Sequence, residues 1–117
     1  MSNFQNLLVW QKAMDFVREM YRVTTKFPDN EKFGLISQLR RAAVSIPSNI
    51  AEGCERKTPK DFANFLTIAR GSAAEIETQI LLALSLNFLD KENAKKILDQ
   101  IAEIKKMLFG LRAKIQK

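Results

Sequence analysis

The residues best equipped for chemistry crowd into "VSIPSNIAEGCER", Val44 to Arg56, and "ARGSAAE", Ala69 to Glu75. Glu52 and Glu75 could act as an acid/base pair, with Arg40 as an anion clamp. The rest of the chain argues against catalysis. It has no histidine, which removes the commonest general base, the commonest metal ligand and the serine-hydrolase triad. There is no glycine-rich phosphate loop, and nothing calls for a cofactor or a metal. Cys54 is the single cysteine, so no intramolecular disulfide or multi-cysteine metal site can form. It stands beside Glu52 and Glu55, with only Arg56 to activate a thiol. Carboxylates next to arginines are more often ion pairs than catalysts. A non-enzymatic chain is expected.

Binding is the alternative to catalysis. The formal net charge is +6, which favours an anionic partner. Arg18, Arg22 and Lys26 recur every four residues. Lys105, Lys106, Arg112, Lys114 and Lys117 form an acid-free run near the C-terminal end. Cations also suit a helix C-terminus for purely structural reasons. No aromatic platform is interleaved with these cations in the sequence, and no helix-turn-helix signal appears.

Four helical segments must carry these groups. The first is expected over about Asn6 to Lys26, with Trp10, Met14, Val17, Tyr21 and Phe27 as its apolar line. "FPDN" ends it at Pro28, and Asn30 is placed to cap the second. The second carries Phe33, Ile36, Leu39, Ala43, Ile46 and Ile50. In "KTPKD", Thr58 is an N-cap, Pro59 suits the first helical position and Asp61 the first turn. The third segment runs to about Asn87, with Phe62, Phe65, Leu66, Ala69, Ala73, Ile76, Ile80, Ala83 and Leu84 facing inward. Asp90 caps the fourth, whose stripe is Ala94, Ile97, Ile101, Ile104, Leu108, Leu111 and Ile115.

With short links, these segments predict an all-α, up-down-up-down antiparallel four-helix bundle, one domain over residues 1–117. The amino terminus has no signal-peptide pattern, and the apolar run Ile80 to Leu89 is too short to span a bilayer. A cytoplasmic protein without membrane contact is expected. Leu81, Leu82 and Leu86 flank the main stripe of the third helix, and Leu98, Ala102 and Phe109 lie off that of the fourth. So much apolar surface on a short chain predicts a homo-oligomer.

The tight link at Thr58 makes the second and third helices a hairpin. Ser45 is expected near Gly71, Arg41 near Glu75, Asn49 near Thr67 and Gly53 near Ala63. Pro47 lacks an N–H and crowds the carbonyl of Ala43, which predicts a kink. Gly71 would then allow close backbone approach, and Ser45, Ser48, Asn49 and Ser72 would supply partners for the freed backbone groups. Arg40, Arg41, Glu52 and Glu75 could join that polar cluster. Two readings stand: a positively charged site for a phosphate or a partner's acidic group, and a satisfied kink with internal ion pairs.

"LRRAAVSIPSNIAEG" at Leu39 to Gly53, followed by Arg56, and "FLTIARGSAAEIETQ" at Phe65 to Gln79 resemble the family of 23S rRNA intervening-sequence proteins. The opening "LLVWQKAMDFVREMY", Leu7 to Tyr21, resembles that family's first helix. The resemblance implies a bacterial four-helix bundle that assembles as a homopentamer with a central channel and has no established catalytic activity. A related group, the accessory variability proteins of diversity-generating retroelements, is a basic pentamer that associates with a reverse transcriptase and nucleic acid. On matching positions the family's motif residues are Arg40, Arg41, Ser45, Pro47, Asn49, Glu52, Gly53, Arg56, Gly71, Ser72 and Glu75. Cys54 is outside that pattern. The expected function is a basic, homo-oligomeric module that binds RNA or an RNA-handling protein. The alternative is a protein-interaction scaffold without direct nucleic-acid contact.

Overall fold

The computed structural model describes residues 3–116, so Lys117 of the C-terminal basic run lies outside the described residues. Four helices carry the fold: α1 (Leu8–Thr24), α2 (Leu35–Cys54), α3 (Pro59–Ser85) and α4 (Lys91–Ile115). Short 3-10 turns precede α1 at Phe4–Asn6 and α2 at Asp29–Glu31. Among the described residues there is no strand. The helices pack as an antiparallel bundle, α1 on α2, α2 on α3, α3 on α4 and α4 back on α1, within 44 × 22 × 20 Å. No described helix is long and apolar enough to cross a membrane.

Two caps form as the sequence predicts. Thr58 Oγ1 accepts from the Asp61 N–H at 3.1 Å with Pro59 opening α3, and Asp90 Oδ1 accepts from the Asn93 N–H at 2.8 Å to open α4. The start of α2 differs. Gly34, not Asn30, is its N-cap residue, and the Glu31 carboxylate takes the Leu35 N–H at 3.1 Å. Asn30 is committed to the preceding 3-10 turn, which moves the helix start past Phe33. Helix α3 stops at Ser85, just short of Asn87. Asn87 adopts φ 63°, and the Phe88 N–H reaches back to the Ala83 carbonyl at 2.9 Å. That is the left-handed termination that asparagine tolerates better than most residues.

The core contains Leu39, Ile46, Ile50, Leu66, Ile76, Ile80, Ile97, Ile101, Ile104 and Leu108, so most of the stripes expected on α2, α3 and α4 are buried there. Phe62, Phe65 and Leu84 of the third and Leu111 and Ile115 of the fourth are only half-buried, at the edges of the bundle. Phe33, expected on the second stripe, lies before α2 begins and is 91% exposed. In α1 the expected line is rotated. The helix buries Val9, Ala13, Phe16, Met20 and Val23, while Trp10, Met14 and Val17 are half-buried and Tyr21 is 44% exposed. Both sets have helical spacing, so periodicity alone could not rank them. Packing seats the first against the neighbouring helices and leaves the second at the edge of the bundle. Of the expected line, only Phe27 is fully buried; it lies beside Phe88, ring centroids 5.8 Å apart.

Close approach of α2 and α3 occurs at Gly53 and not at Gly71. A Cβ on Gly53 would come within 2.8 Å of Phe62 Cδ1 and 2.9 Å of Phe65 Cβ; a Cβ on Gly71 would meet nothing within 4 Å. Helix α2 runs through a buried Pro47 without ending. Urea titrations should separate the two glycines. Gly53→Ala should destabilise by about 1–3 kcal/mol through overpacking. Gly71→Ala should stabilise by up to about 1 kcal/mol, since an exposed helical glycine is replaced at no steric cost.

Candidate functional site

The polar cluster forms, in a smaller version than its sequence suggests. The Ser45 and Ser72 hydroxyls hydrogen-bond at 2.8 Å across the α2–α3 contact, one residue off the expected Gly71 pairing. Asn49 Nδ2 donates to the Ser45 carbonyl at 2.7 Å and to the Ser45 hydroxyl at 2.9 Å. None of these bonds goes to the Ala43 carbonyl that Pro47 leaves without its helical donor. Ser48 is exposed at the opposite edge of α2, beside Trp10 and Val44.

The charged residues expected in the cluster disperse. Glu52 pairs with Arg56 one turn on, at 2.8 Å, and the Arg56 guanidinium lies 4.8 Å from the centre of the Phe65 ring. Glu75 lines a depression with Gln38, Arg41, Ala42, Ser45 and Ser72, but forms no ion pair with Arg41. Ala42 is about 15 Å along α2 from Glu52 at the helical rise of 1.5 Å per residue. Glu52 and Glu75 therefore cannot share one proton-transfer site. Arg40 turns away from both, toward α1. Its Nε donates to Thr24 Oγ1 at 2.9 Å and its Nη2 to the Tyr21 carbonyl at 3.2 Å, and its guanidinium lies 4.5 Å from the Tyr21 ring centre. No group of three or more His, Cys, Asp or Glu side chains suited to a metal occurs among the described residues.

Several candidate cations of the two basic rows are neutralised locally. Arg18 pairs with Asp15, Arg22 with Glu19, and Lys105 with Glu77 of α3. The Glu19 hydrogen bond, then its charge, pushes the Arg22 pKa up. Asp99 raises that of Lys95 in the same way. The Arg112 Nε is shielded and has no hydrogen-bond partner among the described residues. Lys26, Lys106 and Lys114 are exposed and make no ion pair among the described residues.

A cleft of about 590 Å³ lies between the end of α1 and the first turns of α2. Tyr21, Lys32, Phe33, Ser37, Arg40 and Arg41 line it, with Ile36, Val44 and Ser45. It holds three cations and no carboxylate. Arg41 makes neither a hydrogen bond nor an ion pair among the described residues, and Lys32 only lies 5.7 Å from the Phe33 ring centre. Sequence reasoning singled out Arg40 and Arg41 but missed Tyr21, Lys32, Phe33 and Ser37. Reading Phe33 and Tyr21 as core hid the aromatic faces beside these cations. Gly34 as the true helix start was the available signal.

The Ser45–Ser72 contact should show in a double-mutant cycle. Ser45→Ala and Ser72→Ala, singly and together, should give a coupling of about 0.5–1.5 kcal/mol in thermal or urea melts. Additive losses would mean that the pair does not hold the two helices together.

The sequence model of the family described as 23S rRNA-intervening sequence protein matches residues 5–110. Among solved structures, the chain is similar to the crystal structure of a protein of unknown function from the S23 ribosomal protein family of Bacteroides thetaiotaomicron. The TM-score is 0.83 at 26% identity, covering 94% of this chain and 96% of that one. No curated protein matches. A family match over nearly the whole four-helix bundle, including both motif stretches of the α2–α3 hairpin, places the chain: it belongs to the 23S rRNA-intervening sequence protein family.

Proposed function

We propose that this protein is a non-enzymatic, homo-oligomeric module that binds RNA or a ribonucleoprotein. The carboxylate-free cleft of Lys32, Arg40 and Arg41 carries this reading. None of the three is spent on an internal ion pair, unlike Arg18, Arg22 and Lys105. Lys32 and Arg41 are available to phosphate oxygens, while Arg40 already donates from Nε and Nη2 to Thr24 and Tyr21. Arginine suits that task because its planar fork matches a phosphate. The separation of Glu52 from Glu75 and the absence of histidine support binding over catalysis.

Phosphate contacts release counterions, so affinity should fall steeply with salt. Filter binding or fluorescence anisotropy with RNA should show a linear fall of log K with log salt. Arg41→Gln should weaken binding and reduce that slope by about 0.7–1, the share of one phosphate contact. A flat salt response, or no binding at low salt, overturns the reading.

Association of copies is supported by apolar surface that the fold leaves open. Phe4, Trp10, Met14, Val17, Val44 and Pro47 line a groove of about 340 Å³ between α1 and α2, and Leu81, Leu82 and Leu86 are exposed on α3. Contiguous patches of this kind mark contact surfaces. The occupant in this reading is a second copy, in keeping with the pentamer that the resemblance of the sequence implies. Light scattering should return a mass several times 13.4 kDa. Ala51→Glu, at the rim of the groove, should lower that mass while leaving the helical circular dichroism unchanged. A monomeric wild type refutes the oligomer.

A further inference from the structure

Phe33 is placed where folding alone gives no reason for a phenyl ring. Full burial of such a side chain favours folding by about 1.5–3 kcal/mol, yet the loop between α1 and α2 holds it at 91% exposure. It stands in the same cleft as Lys32, Arg40 and Arg41. The Arg40 guanidinium is clamped in one plane by Thr24, by the Tyr21 carbonyl and by the Tyr21 ring. Its Nη1 makes no hydrogen bond among the described residues. A fixed guanidinium plane is itself a stacking surface for a base. The Ser37 hydroxyl, in the same wall, also has no partner among the described residues.

These features match one form of nucleic acid. A duplex keeps its bases stacked on one another and presents phosphates and sugars, so an exposed ring gains nothing from it. An unpaired strand offers base faces and phosphates together, and single-strand binders answer with aromatic rings set among cations. At about 590 Å³ the cleft lies within the roughly 300–1,000 Å³ typical of small-ligand sites.

We propose that the cleft binds an unpaired segment of RNA. One base stacks on Phe33, and the flanking phosphates meet Arg41 and Lys32. This rests on the RNA-binding reading and names the form of RNA that the site takes.

The test uses the full-length protein and a labelled RNA of about 12 nucleotides, within the site sizes of single-strand binders, as a single strand and as a duplex. The wild type should bind the single strand more tightly. Phe33→Leu keeps an apolar side chain but removes the π face. It should weaken single-strand binding about fivefold or more, the lower end of one base stack, and leave duplex binding and the thermal melt unchanged. Arg41→Gln should weaken both. Equal affinity for the two forms, or a Phe33→Leu protein that binds the single strand like wild type, overturns the stacking site while leaving salt-dependent RNA binding in place. No binding of either form at low salt overturns both. A drop in oligomer mass on Phe33→Leu would assign the ring to contact between copies and also overturn the site.

Discussion

Gly53 sits where α2 lies so close to α3 that the Phe62 and Phe65 side chains occupy the space a methyl group would need. Together with the Ser45–Ser72 hydroxyl pair, this contact sets the register of the hairpin. Antiparallel helices packed on apolar stripes can slide by a turn at modest cost, because one isoleucine replaces another against the same neighbours. A glycine packed against Phe62 and the Cβ of Phe65, and a Ser45–Ser72 hydroxyl bond backed by Asn49, remove that freedom. These half-buried polar atoms sharpen the constraint, since a slipped register would part the two hydroxyls. The register decides which residues of α2 lie against α3 and which turn toward α1.

That division separates two adjacent arginines. Arg40 reaches back to Thr24 and Tyr21 of α1, while Arg41 lies between the cleft and the depression that holds Glu75. One step along a helix turns a side chain by about 100°. Arg40 therefore becomes a held plane and Arg41 an unspent charge. Elsewhere, Arg18, Arg22, Arg56, Lys95 and Lys105 each sit within 4 Å of a carboxylate. Surface pairs of this kind contribute little to stability, but they cancel the field locally. The excess positive charge of the chain is consequently uneven in effect: it is strongest where no carboxylate answers it.

Much of the fold was legible in the residues themselves. Thr58–Pro59 and Asp90 announce helix starts through hydrogen bonds made within one turn, which local sequence encodes completely. The stripes of α2, α3 and α4 were legible because each helix has one dominant apolar line. Helix α1 was not, because it has two, and the choice between them depends on neighbours that no local pattern contains. Asn30 and Phe33 were misplaced for a related reason: Glu31 reaches the Leu35 N–H and competes with the asparagine as a cap.

The candidate site was legible only in part. Arg40 and Arg41 stand out by type, and Ser45, Asn49 and Ser72 by their poor fit to a helix interior. Their mutual hydrogen bonds follow from the hairpin link, to within one residue. What sequence by itself determined is the helices, most of their faces, the polar seam and the positive balance, because each is a property of type and spacing along one element. Only tertiary structure decided which cations are paired, that Glu52 and Glu75 lie far apart, that Gly53 and not Gly71 is the point of contact, and that Tyr21 and Phe33 flank the free cations. Those are distances between elements, set by packing, and no single helix carries them.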